Sequence, residues 1–249
     1  MKRLEGLMRR AIQEYDMIQP GDRVCVGVSG GKDSLALAIG LAHLRAYLGV
    51  SFEVCAVSLD PQFGGVPTDY SLLEQLFAQN DVPFHVVRSN IGPVVFDQRA
   101  EKNPCALCAK MRRGLLHTTA KELGCNRVAL GHHLDDAVET FYMNLWGEGR
   151  LGCFSPVSWL SRRELYLIRP MILATESQVE TAVKSLSLPV VKNPCPVDGH
   201  THRQEMKEFV SKMCVQDPAF RQKMLGALRG AGLDGWDPGS DARTRPSKT

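Results

Sequence analysis

Several things are missing from this chain of 249 residues. No apolar run approaches the length of a membrane span, so a membrane partner is not expected. Net charge is only +3, so the whole molecule does not advertise itself as a nucleic-acid binder. The N-terminus, MKRLEGLMRRAIQEYDMI, lacks the apolar core and small-residue cleavage site of a secretory signal, and the expected compartment is the cytoplasm. There is no internal repeat. There is no Walker loop: Val26 stands where the first glycine of that motif belongs, and Asp33 replaces the hydroxyl residue after Lys32. Neither end carries the cysteines of a terminal zinc finger. The composition that remains, 44% hydrophobic and 23% charged, is that of an ordinary globular protein.

The most informative stretch is Val24 to Ser34, VCVGVSGGKDS. An apolar run stops at Ser29-Gly30-Gly31-Lys32-Asp33-Ser34, and an alanine- and leucine-rich segment follows from Leu35 to Leu48. The order predicts a buried strand, a tight glycine loop and a helix. A helix N-terminus offers unpaired N–H groups and partial positive charge, which suits an anion. Gly30 and Gly31 permit close backbone approach, Ser29 and Ser34 add hydroxyls, and Lys32 adds charge.

The rest of the chain alternates. Leu4, Leu7, Met8, Ile12 and Tyr15 give a first helix its apolar stripe. Strands are expected at 52–59, 83–87, 127–130 and 165–168. Helices are expected at 69–79, 106–123, 135–146, from Thr175 to about Leu186, from Arg203 to about Val215 and at 218–228, with Gly124 as a helix stop. Residues 89–104 read as a loop, and the glycine- and charge-rich 230–249 as a disordered tail. Strand–helix alternation predicts an α/β fold with a parallel sheet, with ligands beyond the carboxyl ends of the strands. Leu59 and Asp60, at the end of the second strand, are placed to meet the nucleoside half of a nucleotide held by the loop.

A second signature, GHHLDDAVET, runs from Gly131 to Thr140 and opens a helix at the same sheet edge. His132 and His133 are suited to phosphate. Asp135 and Asp136 are suited to a magnesium ion or to proton transfer, and equally to a helix N-terminus. The cysteines form the third feature. Cys105 and Cys108 stand three apart at a helix start, and Cys195 lies between Pro194 and Pro196. Two plus one cysteines with no evident fourth suit an iron–sulfur cluster with one open iron. A zinc site completed by His200 or His202 is an alternative, as is a persulfide with no metal. Cys25 and Cys55 lie inside apolar strands as small core residues, and Cys125 follows a helix stop. Cys153 stands outside any motif and is a candidate for sulfur relay. The basic pairs Lys2-Arg3, Arg9-Arg10, Arg112-Arg113 and Arg162-Arg163 fit either RNA phosphates or solvated helix faces.

SGGKDS resembles the pyrophosphate loop (PP-loop) of the ATP pyrophosphatase superfamily. Together with GHHLDDAVET and the continuation FYMNLWGEGRL, it resembles the branch containing tRNA-lysidine and tRNA 2-thiocytidine synthetases. PCALCAKMRRG and the later Pro-Cys loop resemble the 2-thiocytidine subfamily within it. That resemblance implies a Rossmann-like, adenine nucleotide alpha hydrolase-like sheet flanked by helices, with a small helical C-terminal addition. It divides the chain into an N-terminal helix (1–20), a PP-loop ATP-binding domain with an inserted CxxC helix (21–192), a Cys loop with C-terminal helices (193–229) and the tail (230–249).

The implied activity is ATP-dependent thiolation of tRNA, in which the C2 oxygen of a pyrimidine, cytidine 32 of the anticodon loop, is adenylated and replaced by sulfur. The implied cofactors are ATP, Mg2+ and a [4Fe–4S] cluster on Cys105, Cys108 and Cys195. Ser29, Gly30, Gly31, Lys32, Asp33, Ser34, Leu59, Asp60, Gly131, His132 and Asp136 would hold the nucleotide. Lys32, Arg112 and Asp135 would act on the reacting groups. The implied partners are tRNA, a cysteine desulfurase or other sulfur donor, and a second copy in a homodimer. The pattern departs from its relatives in two places. NPCPVDGHTHRQEM has one cysteine where many 2-thiocytidine synthetases have a close pair. Arg112 stands where 2-thiouridine synthetases have lysine. A ligase acting on another substrate with structural zinc, and a non-enzymatic ATP-binding iron–sulfur sensor, remain as alternative readings.

Overall fold

The structure, a computed structural model, describes residues 1–98, 104–191, 202–233 and 235–238. Its centre is a sheet of six strands in the order β3-β2-β1-β4-β6-β5. The strands are β1 (Arg23–Val28), β2 (Glu53–Asp60), β3 (Phe84–Arg88), β4 (Arg127–Ala129), β5 (Val157–Leu160) and β6 (Leu165–Ile168). All neighbours pair in parallel except β5, which runs antiparallel to β6 at the edge. The expected parallel α/β sheet is present. The edge strand β5 was not foreseen: it is only four residues long, and its partner lies just beyond the turn at Glu164, which takes a left-handed φ of 50°.

Eight helices accompany the sheet among the described residues: α1 (Lys2–Glu14), α2 (Lys32–Leu44), α3 (Ser71–Gln79), α4 (Pro104–Glu122), α5 (Leu134–Gly147), α6 (Glu176–Ser185), α7 (His202–Gln216) and α8 (Phe220–Gly230). The larger core lies on the α2 face. It gathers Leu4 and Met8 of α1, the alanines and leucines of α2, Leu73 and Phe77 of α3, Val138 of α5 and Val179 of α6. Burial of α2 on nearly every side explains its even apolar composition, with only Lys32, Asp33 and His43 part-exposed near its ends. Gly40 lets α1 approach closely: a Cβ there would fall 2.6 Å from the Met8 sulfur.

The opposite face is covered by α4 over a smaller cluster of Leu116, Ala120, Val128, Leu165 and Leu167 with three cysteines. The stop of α4 is a Schellman turn. Cys125 donates its N–H to the Ala120 carbonyl and Gly124 donates to Lys121, with Gly124 at φ 70°. The stretch 89–104, expected as loop, contains a π-helical turn at Pro93–Gln98.

The expectation of a disordered tail from residue 230 is corrected at Trp236. Its side chain is fully buried, its indole donates to the Phe154 carbonyl, and its own carbonyl accepts from the Tyr15 hydroxyl. Gly, Asp and Pro around it read as solvent-loving, but one large apolar ring outweighs them when a pocket exists to receive it.

Among the described residues, no helix is long and apolar enough to cross a membrane.

Candidate active site

The glycine loop sits between β1 and α2 as expected. Gly30 has φ 82°, a conformation that suits glycine, and its carbonyl accepts from Val191 N–H at 3.0 Å. A Cβ on Gly30 would lie 3.0 Å from the Val191 carbonyl oxygen. The two serines brace the loop: Ser34 Oγ accepts from Ser29 N–H and donates to the Gly31 carbonyl, and Ser29 Oγ accepts from Gly31 N–H. No side chain caps α2, so the N–H groups of its first turn have no intrahelical partner.

Lys32 Nζ bonds Asp33 and Glu176, each at 2.9 Å. Glu176 also accepts from Lys207 of α7 at 2.7 Å. Burial alone would raise the Glu176 carboxyl. Hydrogen bonds and charge from Lys207 and Lys32 outweigh it and hold the group at about 2. Burial would likewise lower Lys32, but its hydrogen bonds to Asp33 and Glu176 raise it instead. The lysine is therefore charged and held beside the loop by two acids.

Gly131 brings the second signature against the first. A Cβ there would meet the Asp33 carbonyl carbon at 3.1 Å and Ser34 N at 3.2 Å. His133 is buried and acts as N-cap of α5 in a capping box: its ring accepts from Asp136 N–H, and the Asp136 carboxylate accepts from His133 N–H at 2.9 Å. His133 is thus engaged in closing α5, and it does not line the cavity described below.

Asp135 is 2% exposed and does not line the cavity described below. One of its oxygens accepts from Glu176 N–H at 2.8 Å, and the other pairs with Arg221 of α8. The proton-transfer role expected for Asp135 is thus replaced by a tie between α5, α6 and α8. Asp60 is corrected in the same way. It is 1% exposed and accepts from Gln62 N–H, Thr68 N–H and Thr68 Oγ1, which closes its own loop.

Between the two signatures and α4 lies a cavity of about 450 Å³. Ser29, Asp33 and Ser34 line its loop side, and Gly131, His132 and Asp136 its second-signature side. Gly27, Val57, Leu59 and Leu130 form an apolar floor. One face of α4 closes it with Ala109, Arg112, Arg113, Leu116 and His117. Arg112 Nε and His117 Nε2 are buried with no hydrogen-bond partner among the described residues. Burial lowers the His117 pKa, with Arg113 and Arg163 adding repulsion, so its ring is neutral near pH 7.

The structure thus brings together Ser29, Asp33, Ser34, Leu59, Arg112, Gly131, His132 and Asp136 around one space, with Gly30, Gly31 and Lys32 in the adjoining loop. Sequence reasoning missed His117 and read Arg113 only as half of a basic pair, not as part of the cavity. The signal was present in their spacing, since residues 109, 112, 113, 116 and 117 share a helix face. It also missed Glu176, whose partner Lys32 is far away in sequence.

Cys105 and Cys108 lie in the first two turns of α4, one exposed and one buried. Ala109, next to Cys108, lines the cavity. Cys195 lies outside the described residues, and among those described no group of three His, Cys, Asp or Glu side chains could hold a metal ion. Cys153 donates to the Ala137 carbonyl, and burial pushes its thiol up to about 12.

Comparison with known proteins agrees with this geometry. Residues 4–213 match the PP-loop domain family. The tRNA-cytidine(32) 2-sulfurtransferase of Syntrophotalea carbinolica is 36% identical over 230 residues, 91% of this chain and 88% of that protein. The enzyme of the same name from Alkalilimnicola ehrlichii is 39% identical over 92% of this chain and 73% of its own length. The U34-tRNA thiolase NcsA from Methanococcus maripaludis, solved with its [4Fe–4S] cluster, superposes with a TM-score of 0.76 at 22% identity. The match covers 92% of this chain and 78% of that one, and this likeness supports the fold. With an uncapped helix start, a glycine loop and a facing acidic signature around one cavity, the chain belongs to the PP-loop domain family.

Proposed function

We propose that this protein is an ATP-dependent tRNA sulfurtransferase that replaces the C2 oxygen of cytidine 32 with sulfur. The single observation that carries the reading is the shared cavity. It joins the uncapped start of α2 to the helix that bears Cys105 and Cys108. The names of the relatives supply the base and its position.

ATP is a substrate here. Its phosphates meet the first-turn N–H groups of α2, with the hydroxyls of Ser29 and Ser34 beside them. Lys32 exchanges a carboxylate partner for phosphate oxygen. The apolar floor of Gly27, Val57, Leu59 and Leu130 receives the adenosine. Asp33 and Asp136 are the cavity carboxylates that would hold magnesium, which draws charge from phosphate oxygens when bound. The C2 oxygen of the base attacks the α phosphorus and pyrophosphate leaves. A sulfur nucleophile then adds at C2 and AMP departs.

Arg112, with Nε unpartnered at the cavity wall, stabilises the negative charge that develops in both steps. The target base must leave its stack to enter, which costs least in a single-stranded loop. Cys105 and Cys108 present two sulfurs one helical turn apart, as a cluster requires, and with Cys195 they would hold a [4Fe–4S] cluster. When bound, that group supplies an iron to which sulfur can attach. A sulfur donor such as a cysteine desulfurase and a homodimeric state complete the reading.

The test is nucleoside mass spectrometry of unmodified tRNA incubated anaerobically with the protein, ATP and sulfide. 2-Thiocytidine and tRNA-dependent AMP are expected from the wild type, with loss of the thionucleoside in Cys105→Ala. AMP formation indifferent to tRNA, or full thiolation by Cys105→Ala, would overturn the proposal.

A further inference from the structure

Three thiols that the proposed reaction does not use meet beneath α4. Cys25 and Cys55 are register partners on β1 and β2, so their side chains leave the sheet on the same face. The Schellman turn that ends α4 delivers Cys125 to the same point, with its sulfur 3.5 Å from that of Cys55. All three are buried, at 0%, 4% and 3% exposure. They share a cluster with Val57 and Leu116, which are also in the cavity wall.

Chance packing of small residues accounts for one buried cysteine. Here two thiols stand in direct contact, Cys55 from a strand and Cys125 from a helix stop, with Cys25 in the same buried cluster. The Cys55 and Cys125 sulfurs share a hydrogen bond in which either can donate, and hydrogen bonding with Cys25 and Cys55, with Arg23 and His85 nearby, lowers the Cys125 pKa. Cys55 is held up at about 12, by its hydrogen bond to Cys125 first and by burial. A thiol whose pKa is lowered in this way is the better nucleophile of the pair, and its partner sulfur lies within contact distance.

We infer that Cys55 and Cys125 form a reversible disulfide site at the foot of the helix whose head carries Cys105 and Cys108. With a peroxide as oxidant, the Cys125 thiolate attacks one oxygen and the O–O bond breaks. The hydroxide released takes a proton to become water, leaving a sulfenic acid. The Cys55 sulfur then attacks the Cys125 sulfur, and the sulfenic oxygen leaves as a second water. Two sulfurs have lost two electrons in all, and the peroxide has gained them. Closing from 3.5 Å to a bond of about 2.05 Å needs a movement of about 1.5 Å. A dithiol reverses the reaction by exchange. The bond would tie β2 to the turn between α4 and β4 and so fix the foot of α4.

The experiment is peptide mapping of the full chain after brief peroxide treatment in the folded state, with free thiols alkylated on unfolding. One cross-linked peptide joining Cys55 to Cys125 is expected, with a mass two hydrogens lower and sensitive to dithiothreitol. It should be absent in Cys55→Ala and in Cys125→Ala. Cys25→Ala should still form it, because the contact that closes is between Cys55 and Cys125. Peptide-level reading separates this bond from any between Cys105, Cys108 and Cys195. The thermal midpoint of the bridged wild type should exceed that of the reduced form. Since the alanine variants alter the core, circular dichroism of each confirms that it is folded. If Cys55 and Cys125 in the oxidised wild type remain fully alkylated, or if Cys25 is found in the bond, the inference fails.

Discussion

Helices α2 and α5 start alike in the sequence: an apolar strand, a glycine-bearing turn, then charged residues. In the fold they start differently. At α5 the Leu134 N–H is taken by the Ala174 carbonyl and the Asp136 N–H by the His133 ring, while the Asp136 carboxylate returns to His133 N–H. That helix end is closed by its own chain. At α2 no side chain caps the helix, the serines brace the loop instead, and the lysine is held to one side by Asp33 and Glu176. A third helix, α6, is closed like α5, with Thr175 in a capping box and Asp135 on Glu176 N–H. Of these three starts at the carboxyl edge of the sheet, only α2 is left for a ligand. Two acidic signatures therefore carry two kinds of work. The first offers its open helix start to a ligand; the second closes its own helix start, holds α2 in register through Gly131 and turns His132 and Asp136 to the cavity.

The largest effect should come from breaking the open end. Lys32→Ala removes the mobile charge beside the phosphates and should lower tRNA-dependent AMP formation by about 10²- to 10³-fold, with the fold retained by circular dichroism. A loss under tenfold would mean that the lysine only pairs with Glu176. Gly131→Ala comes next. Its Cβ would press on the backbone of Asp33 and Ser34, which cannot swing aside, and a shift of α2 should cost about 100-fold in rate. Activity equal to wild type would show that the two signatures do not need their close contact.

Breaking the closed end should act on stability instead. His133→Ala loses the cap of α5 and should destabilise the protein by about 1 kcal/mol in urea unfolding. If its nucleotide KM rises sharply with no change in stability, the division between binding and bracing is mistaken.

The smallest effect concerns pH. Glu176 has a folded pKa depressed to about 2, so its contribution is present above its ordinary value of 4.5 and is lost as pH falls through that window. The thermal midpoints of wild type and Glu176→Gln should differ by a constant amount near neutrality and converge between about pH 4.5 and 2. A gap that persists at pH 2 would assign the difference to packing.

Much of the fold was legible because the signals are local. The strand–loop–helix at Val24–Ser34, the Gly124 stop and the Thr175 cap each depend on residues within a few positions. β5 was not legible, because its apolar stretch is short and its pairing is decided by the turn at Glu164. Trp236 was not legible either: its neighbours are turn formers, and its pocket is built by Tyr15 and Phe154 from elsewhere. The acids divide in the same way. Asp33 and Asp136 line the cavity as the motif implied, whereas Asp60 and Asp135 are spent on backbone N–H groups and Arg221.

The parallel α/β plan, the glycine loop and the paired cysteines at the start of α4 follow from neighbouring residues alone. Backbone propensity, glycine and the 3.6-residue period act over short range and are written in adjacent letters. Which helix end stays open and which aspartates face the cavity were settled by long-range packing. It also decided that Arg113 and His117 join the cavity wall, and that Cys25, Cys55 and Cys125 meet. Those outcomes depend on partners far apart in the chain, and a charge or a thiol takes its role from whichever group the fold sets beside it.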